Sequence, residues 1–248
     1  CTERLNSLMN MEQKKHPDAQ KKASALYAEV KQPYEYYPGF NKDAGDYLIL
    51  YLLLLEFICV LLAAPTFSSD YQTKADDIQR CTRYGRRRLA AARLTVMFFI
   101  SAATVAAGTA VYLFLMKSIF GGECMNSAVS LPDMNLGQML LVGAGVGFLT
   151  IIAAVLCTLV ISSICRSVQA AVIAGMVLCL LPIIIGQMSS GNLAGWIRCI
   201  LPTGGLGLGS SFFYELFDFN FLYLGGVSFW IPFVIPVALA VEIPLFAG

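Results

Sequence analysis

Charge and histidine are what this sequence has least of. Only 13% of its 248 residues are Asp, Glu, Lys or Arg, against about 25% in soluble domains. With 57% hydrophobic residues and a mean hydropathy of +0.68, a water-soluble fold of this size could not hide the apolar surface. The net charge of +1 gives no global field to attract nucleic acid or an acidic partner, so no nucleic-acid partner is expected. The single histidine, His16, lies in a polar segment, which excludes His-dependent hydrolysis within a membrane. There is no HExxH, no GxSxG and no pair of intramembrane aspartates, so zinc, serine and aspartyl intramembrane proteases lack their parts. A Walker A sequence is also missing, so the chain has no usual loop for ATP and is not expected to be an enzyme. No cofactor or metal site is expected.

Eight cysteines stand at 1, 59, 81, 124, 157, 165, 179 and 199, with no CxxC pair. They read as small apolar packing residues rather than zinc ligands. Cys124 and Cys199 fall on one predicted side of the membrane, where a disulfide is permitted. The chain begins at Cys1 without a signal-peptide pattern and stops at Gly248 directly after an apolar run. Both ends read as cut rather than as a lipoprotein start, because a lipid anchor would be redundant beside several spans.

Long apolar runs are abundant. They cover residues 47–64, 94–116, 136–164, 168–188 and 221–247, and a helix needs about 20 residues to cross the hydrocarbon core. In lipid, backbone amides must be satisfied within a helix or a closed barrel, and these runs lack the alternation of barrel strands. The expected fold is all-α: a polytopic transmembrane helical bundle of five spans over residues 47–248, preceded by a polar segment, 1–46. Orientation follows from the connection at 66–93, which carries Lys74, Arg80, Arg83, Arg86, Arg87, Arg88 and Arg93 and should be cytoplasmic. The other connections are poor in basic residues. Of the seven basic residues in 1–46, only Lys31 and Lys42 lie close to the first span, so that segment is placed outside.

The basic connection is the most distinctive stretch. Ser69 can cap a helix with Gln72 reaching back to it, and Asp70, Asp76 and Asp77 favour its early turns. Tyr71, Ala75, Ile78 and Thr82, or Cys81, fall on one stripe, as in an amphipathic helix lying at the membrane surface. Gly85 would interrupt that helix. Arg87, Arg88 and Arg93 would anchor the next span at the headgroups, where anionic lipid binds them.

The string from Phe67 to Arg93, FSSDYQTKADDIQRCTRYGRRRLAAAR, resembles the intracellular segment of ABC-2 type transporter permeases. In that family an acidic residue and an aromatic, here Asp70 and Tyr71, precede a short helix and a YGR-type turn, here Tyr84, Gly85 and Arg86. Asp70 stands where glutamate is more usual. The resemblance implies a coupling helix between the second and third spans that docks into a cleft of a separate ATPase subunit. It marks Asp70, Tyr71, Gln72, Thr73, Asp77, Tyr84, Gly85 and Arg86 as ATPase-coupling residues. It also implies one further span before Cys1, with residues 1–46 as the tail of a large outer loop. The expected setting is a bacterial cytoplasmic membrane, the partners an ABC ATPase subunit, a second permease chain and lipid, and the direction export. ATP would be used by the partner.

Two alternatives remain from the residues themselves. Glu56 sits in the middle of the first apolar run and Glu242 near the end of the last. An intramembrane carboxylate is costly and marks a functional site by default, as in proton-coupled carriers. The stretch Thr203–Gly207 shares three positions of five with the TVGYG filter of potassium channels, although a glycine-rich outer loop serves packing as readily. Gly143 and Gly147 have the GxxxG spacing that lets another helix approach closely.

Overall fold

The structure, a computed structural model, describes residues 18, 21, 22, 24, 25, 37, 43–75, 85–127, 135–188, 191–208, 212–217, 221–224 and 227–247. Its helices follow the apolar runs. They are α1 (Asp43–Ala63), α2 (Pro65–Gln72), α3 (Gly85–Phe120), α4 (Leu136–Ile164), α5 (Val168–Met188), α6 (Asn192–Ile200), α7 (Phe212–Phe217) and α8 (Ile231–Ala247). Single 3-10 turns lie at Glu123–Asn126 and Gly204–Leu206, and strands β1 (Phe221–Leu224) and β2 (Val227–Trp230) pair antiparallel.

Among the described residues, four helices are long and apolar enough to cross a membrane: Gly45–Gln72, which joins α1 and α2, Arg88–Phe120, Leu136–Ile164 and Val168–Met188. This is the make-up of an integral membrane protein. The fifth apolar run departs from the expected continuous helix. Residues 221–224 and 227–230 of this run pair as antiparallel strands, with Phe221 opposite Trp230 and Leu224 opposite Val227. The 17 residues of α8 span only about 26 Å at 1.5 Å per residue, short of a 30 Å hydrocarbon core.

The bundle is organised around α4, of whose apolar window 67% is buried, against 11% for α3. It packs on α1, α2, α3, α5 and α8. Small residues permit this. A Cβ on Gly147 would meet Leu52 Cδ1 of α1 at 2.6 Å, so the α1–α4 approach depends on glycine there, as the GxxxG spacing anticipates. The ends of the helices obey local chemistry. Gly121, at φ 84°, ends α3 with its N–H on the Lys117 carbonyl, a left-handed stop that glycine tolerates without strain. At the start of α4 the Gln138 side chain accepts from the Asn135 N–H at 3.1 Å, half of a capping box.

At one end of the bundle lie Ala64, Arg93 and Ile164. We call it the basic end. At the other end α6 and the hairpin lock together: Asn192 exchanges hydrogen bonds with the Tyr223 backbone, and Trp196 Nε1 donates to the Tyr223 carbonyl. Arg198 of α6 pairs with Glu215 of α7. Cys124 and Cys199, both buried there, are free thiols, and burial pushes the Cys199 thiol up to about 12.

Thr203–Gly207 is buried beneath this layer. Pro182 has no N–H, so the Leu178 carbonyl one turn earlier in α5 loses its helical donor. Thr203 Oγ1 donates to that carbonyl at 2.9 Å. A Cβ on Gly204 would collide with the Arg198 carbonyl oxygen, and one on Gly205 with Thr150 Oγ1. The loop's composition is thus accounted for by close packing and by one orphaned carbonyl.

Candidate functional site at the basic end of the bundle

The site grows from Pro65. Without an N–H, Pro65 cannot bond the Leu61 carbonyl, and a helix reaching it must break or bend. The chain turns at Ala64, and α2 starts with proline in its first turn, where a missing donor costs nothing. The other first-turn N–H groups of a helix need acceptors. Here the acceptor comes from another helix: Ser162 Oγ of α4 accepts from the N–H groups of Phe67 (3.1 Å) and Ser68 (3.0 Å). The same hydroxyl donates to the Ala64 carbonyl at 2.6 Å, which the Ser68 hydroxyl also reaches at 2.8 Å. Ser162 therefore caps α2 across about a hundred residues of sequence. Both Ser68 and Ser162 are fully buried.

This geometry corrects two expectations. Ser69 is not a helix cap: α2 begins at Pro65 and Ser69 lies within it, its carbonyl accepting from the Thr73 N–H and hydroxyl. The proline imposes an earlier start than a serine capping box could. An unbroken amphipathic helix through Tyr71 and Ala75 is also not formed, because Thr73 and Lys74 make a turn, with Lys74 at φ 58°. Gly85 and Arg86, expected in a turn that interrupts the segment, are the first residues of α3.

Asp70 and Tyr71 are brought together with the helices beneath. Asp70 forms an ion pair with Arg93 of α3, whose second guanidinium nitrogen lies 3.2 Å from the other carboxylate oxygen. Arg93 also donates to the Thr66 carbonyl at 2.9 Å and stands over the Phe67 ring, 5.8 Å from its centroid. Tyr71 OH donates to the Ser163 carbonyl at 3.1 Å. Arg93 was expected only as an interface anchor; it is a clasp between α2 and α3. Gln72, Thr73 and Lys74 are exposed beyond this junction, as is Arg88. Arg87 belongs to the first turn of α3. Asp77 and Tyr84 lie outside the described residues. Glu56 lies apart, in the interior of α1.

Sequence reasoning missed Ser162, Ser163, Thr66 and Phe67. The signal was present as a Ser-Ser pair at the end of an apolar run, facing a proline that orphans a helix start. Chemically, the arrangement is mechanical. It holds no group of three or more potential metal ligands among the described residues, and it ties an exposed turn rigidly to α3 and α4. Neither protein-family models, curated proteins nor solved structures return any match to this chain.

Proposed function

We propose that the chain is part of the membrane-spanning permease of an ATP-driven ABC transporter, with α2 and the turn after it receiving a separate ATPase subunit. The observation that carries this reading is the bracing of α2 by Ser162, Tyr71 and the Asp70–Arg93 pair. The segment that resembles a coupling helix is bonded directly to α4, and α4 packs on α1, α3, α5 and α8. A push on the exposed residues Gln72 and Thr73 is thereby passed to the central helix rather than absorbed in a loose loop. Bundles with two discrete packings convert such pushes into switching.

In this reading the basic end faces the cytoplasm, in keeping with its arginines, and residues 1–46 lie outside a bacterial cytoplasmic membrane. Two permease chains, alike or different, enclose the path. ATP binding by the two attached subunits drives alternating access, with export as the direction. The ATP site belongs to the partner.

The test is co-purification with a co-expressed ABC ATPase subunit. Gln72→Arg combined with Thr73→Trp should abolish the complex while leaving the thermal stability of the chain within about 0.5 kcal/mol, as expected for exposed positions. Unaltered binding by the double variant, in a chain that does bind the ATPase, would place docking elsewhere.

A further inference from the structure

A buried carboxyl stands apart from the coupling junction. Glu56 is fully buried midway along α1, and neither of its oxygens has a hydrogen-bond partner among the described residues. The Cys179 thiol of α5 lies beside it, without the geometry of a bond. The groups facing Glu56 from the surrounding helices are neutral polar ones. Cys59, on its own helix, lies against Ser101 of α3. Cys157 of α4 lies near Cys179 and, beyond it, near Glu242 of α8. The neighbouring Thr158 hydroxyl is engaged with the Ala154 carbonyl. From α2, Asp70 and Tyr71 turn to Arg93 and Ser163, and the Gly204–Leu206 turn has no titratable side chain. No described cation acts on Glu56.

An ionised carboxylate without partner or counter-charge in such surroundings is far costlier than the neutral acid. A metal ion would need a cluster of donors, and none is assembled among the described residues; a proton needs only the carboxyl. The wall that covers Glu56 also holds the one proline inside α5, Pro182. One turn before Cys179, Gly175 packs closely on α1 and α4, where a Cβ would meet Val60 Cγ1 at 2.7 Å. One turn after it, Pro182 interrupts the helical ladder, and the freed Leu178 carbonyl accepts from the Thr203 hydroxyl at the hairpin end. A proline with a borrowed donor is a place where a helix bends.

We propose that Glu56 is a proton-binding site within the membrane, its carboxyl protonated in the closed bundle and exchanging that proton with water when α5 bends at Pro182. On opening, the O–H bond breaks and the proton passes to water, leaving the carboxylate; on closing, a proton from water re-forms it. No electron moves. The inference does not depend on an ATPase partner, and its test uses the chain alone.

The experiment is infrared spectroscopy of the full chain in phosphatidylcholine–phosphatidylglycerol nanodiscs at neutral pH. The wild type should show a carbonyl stretch of a protonated acid that Glu56→Gln removes and that shifts on transfer to D2O. If Glu56→Gln fails to fold, Glu56→Asp keeps the acid and should displace the band in frequency instead. Thr203→Ala, which strips the donor from Leu178, should speed the D2O shift several-fold. The proposal is overturned if no acid band is lost or displaced in either variant, since Glu56 is then ionised. It is equally overturned if the band never shifts in D2O, since the acid is then sealed.

Discussion

Ser162 concentrates the account in one hydroxyl. It accepts from two N–H groups, that of Ser68 buried and that of Phe67 part-buried, and donates to the buried Ala64 carbonyl. Removing it takes the acceptor from the two N–H groups and leaves the Ala64 carbonyl to the Ser68 hydroxyl, at about 1–3 kcal/mol for a buried unsatisfied group. Ser162→Ala should therefore destabilise the protein by about 2 kcal/mol in denaturant unfolding in detergent. Ser163→Ala is the control: its exposed hydroxyl donates to the Val160 carbonyl of its own helix, and its change should stay within about 0.5 kcal/mol. Equal losses from both would remove the special role of Ser162. Arg93→Ala should cost about 1 kcal/mol, the scale of a partly exposed pair with one additional hydrogen bond. Arg93→Lys should recover only part of it, because an ammonium cannot span both Asp70 oxygens and the Thr66 carbonyl as the guanidinium fork does.

Among the elements, the long helices were legible and their joints were not. Hydropathy is a sum over a window, so it finds α1, α3, α4 and α5 but is blind to what a single residue does at an end. Pro65 moved the start of α2 four residues ahead of Ser69, and Pro182 explains why Thr203 is where it is. The fifth run failed for a related reason: a short hairpin of apolar strands has the same mean hydropathy as a helix. The discriminating signal was Gly225–Gly226 between two four-residue apolar stretches, a spacing that marks a two-residue hairpin. The junction itself was half legible. Asp70 and Tyr71 could be singled out from sequence, but their partners Arg93 and Ser163 lie 23 and 92 residues away, and only folding brings them together. Packing between elements gives its own prediction. Gly147→Val places a side chain against Leu52 and should destabilise by about 1–3 kcal/mol through overpacking; thermal unfolding in detergent reads it. Leu52→Ala in the same chain should relieve part of that loss, since the clash is with this one side chain.

For the whole molecule, the bundle has two unlike ends around a central α4. One end is basic and carries the exposed turn at Gln72–Lys74; the other carries α6, α7 and the hairpin. If they face opposite compartments, cysteines placed at Gln72 and at Leu224, both exposed, should react with a membrane-impermeant thiol reagent from opposite sides in oriented vesicles. Labelling of both from one side would refute the arrangement. The central claim is that energy from ATP enters through α2 and reaches the spans through α4. Its most direct test is the ATPase rate of an ABC ATPase subunit reconstituted with this chain in nanodiscs. The account predicts that the wild-type chain raises that rate several-fold and that Ser162→Ala and Arg93→Ala still bind the ATPase but lose most of the stimulation. A chain that binds no ATPase, or one in which both variants stimulate as the wild type does, would contradict it.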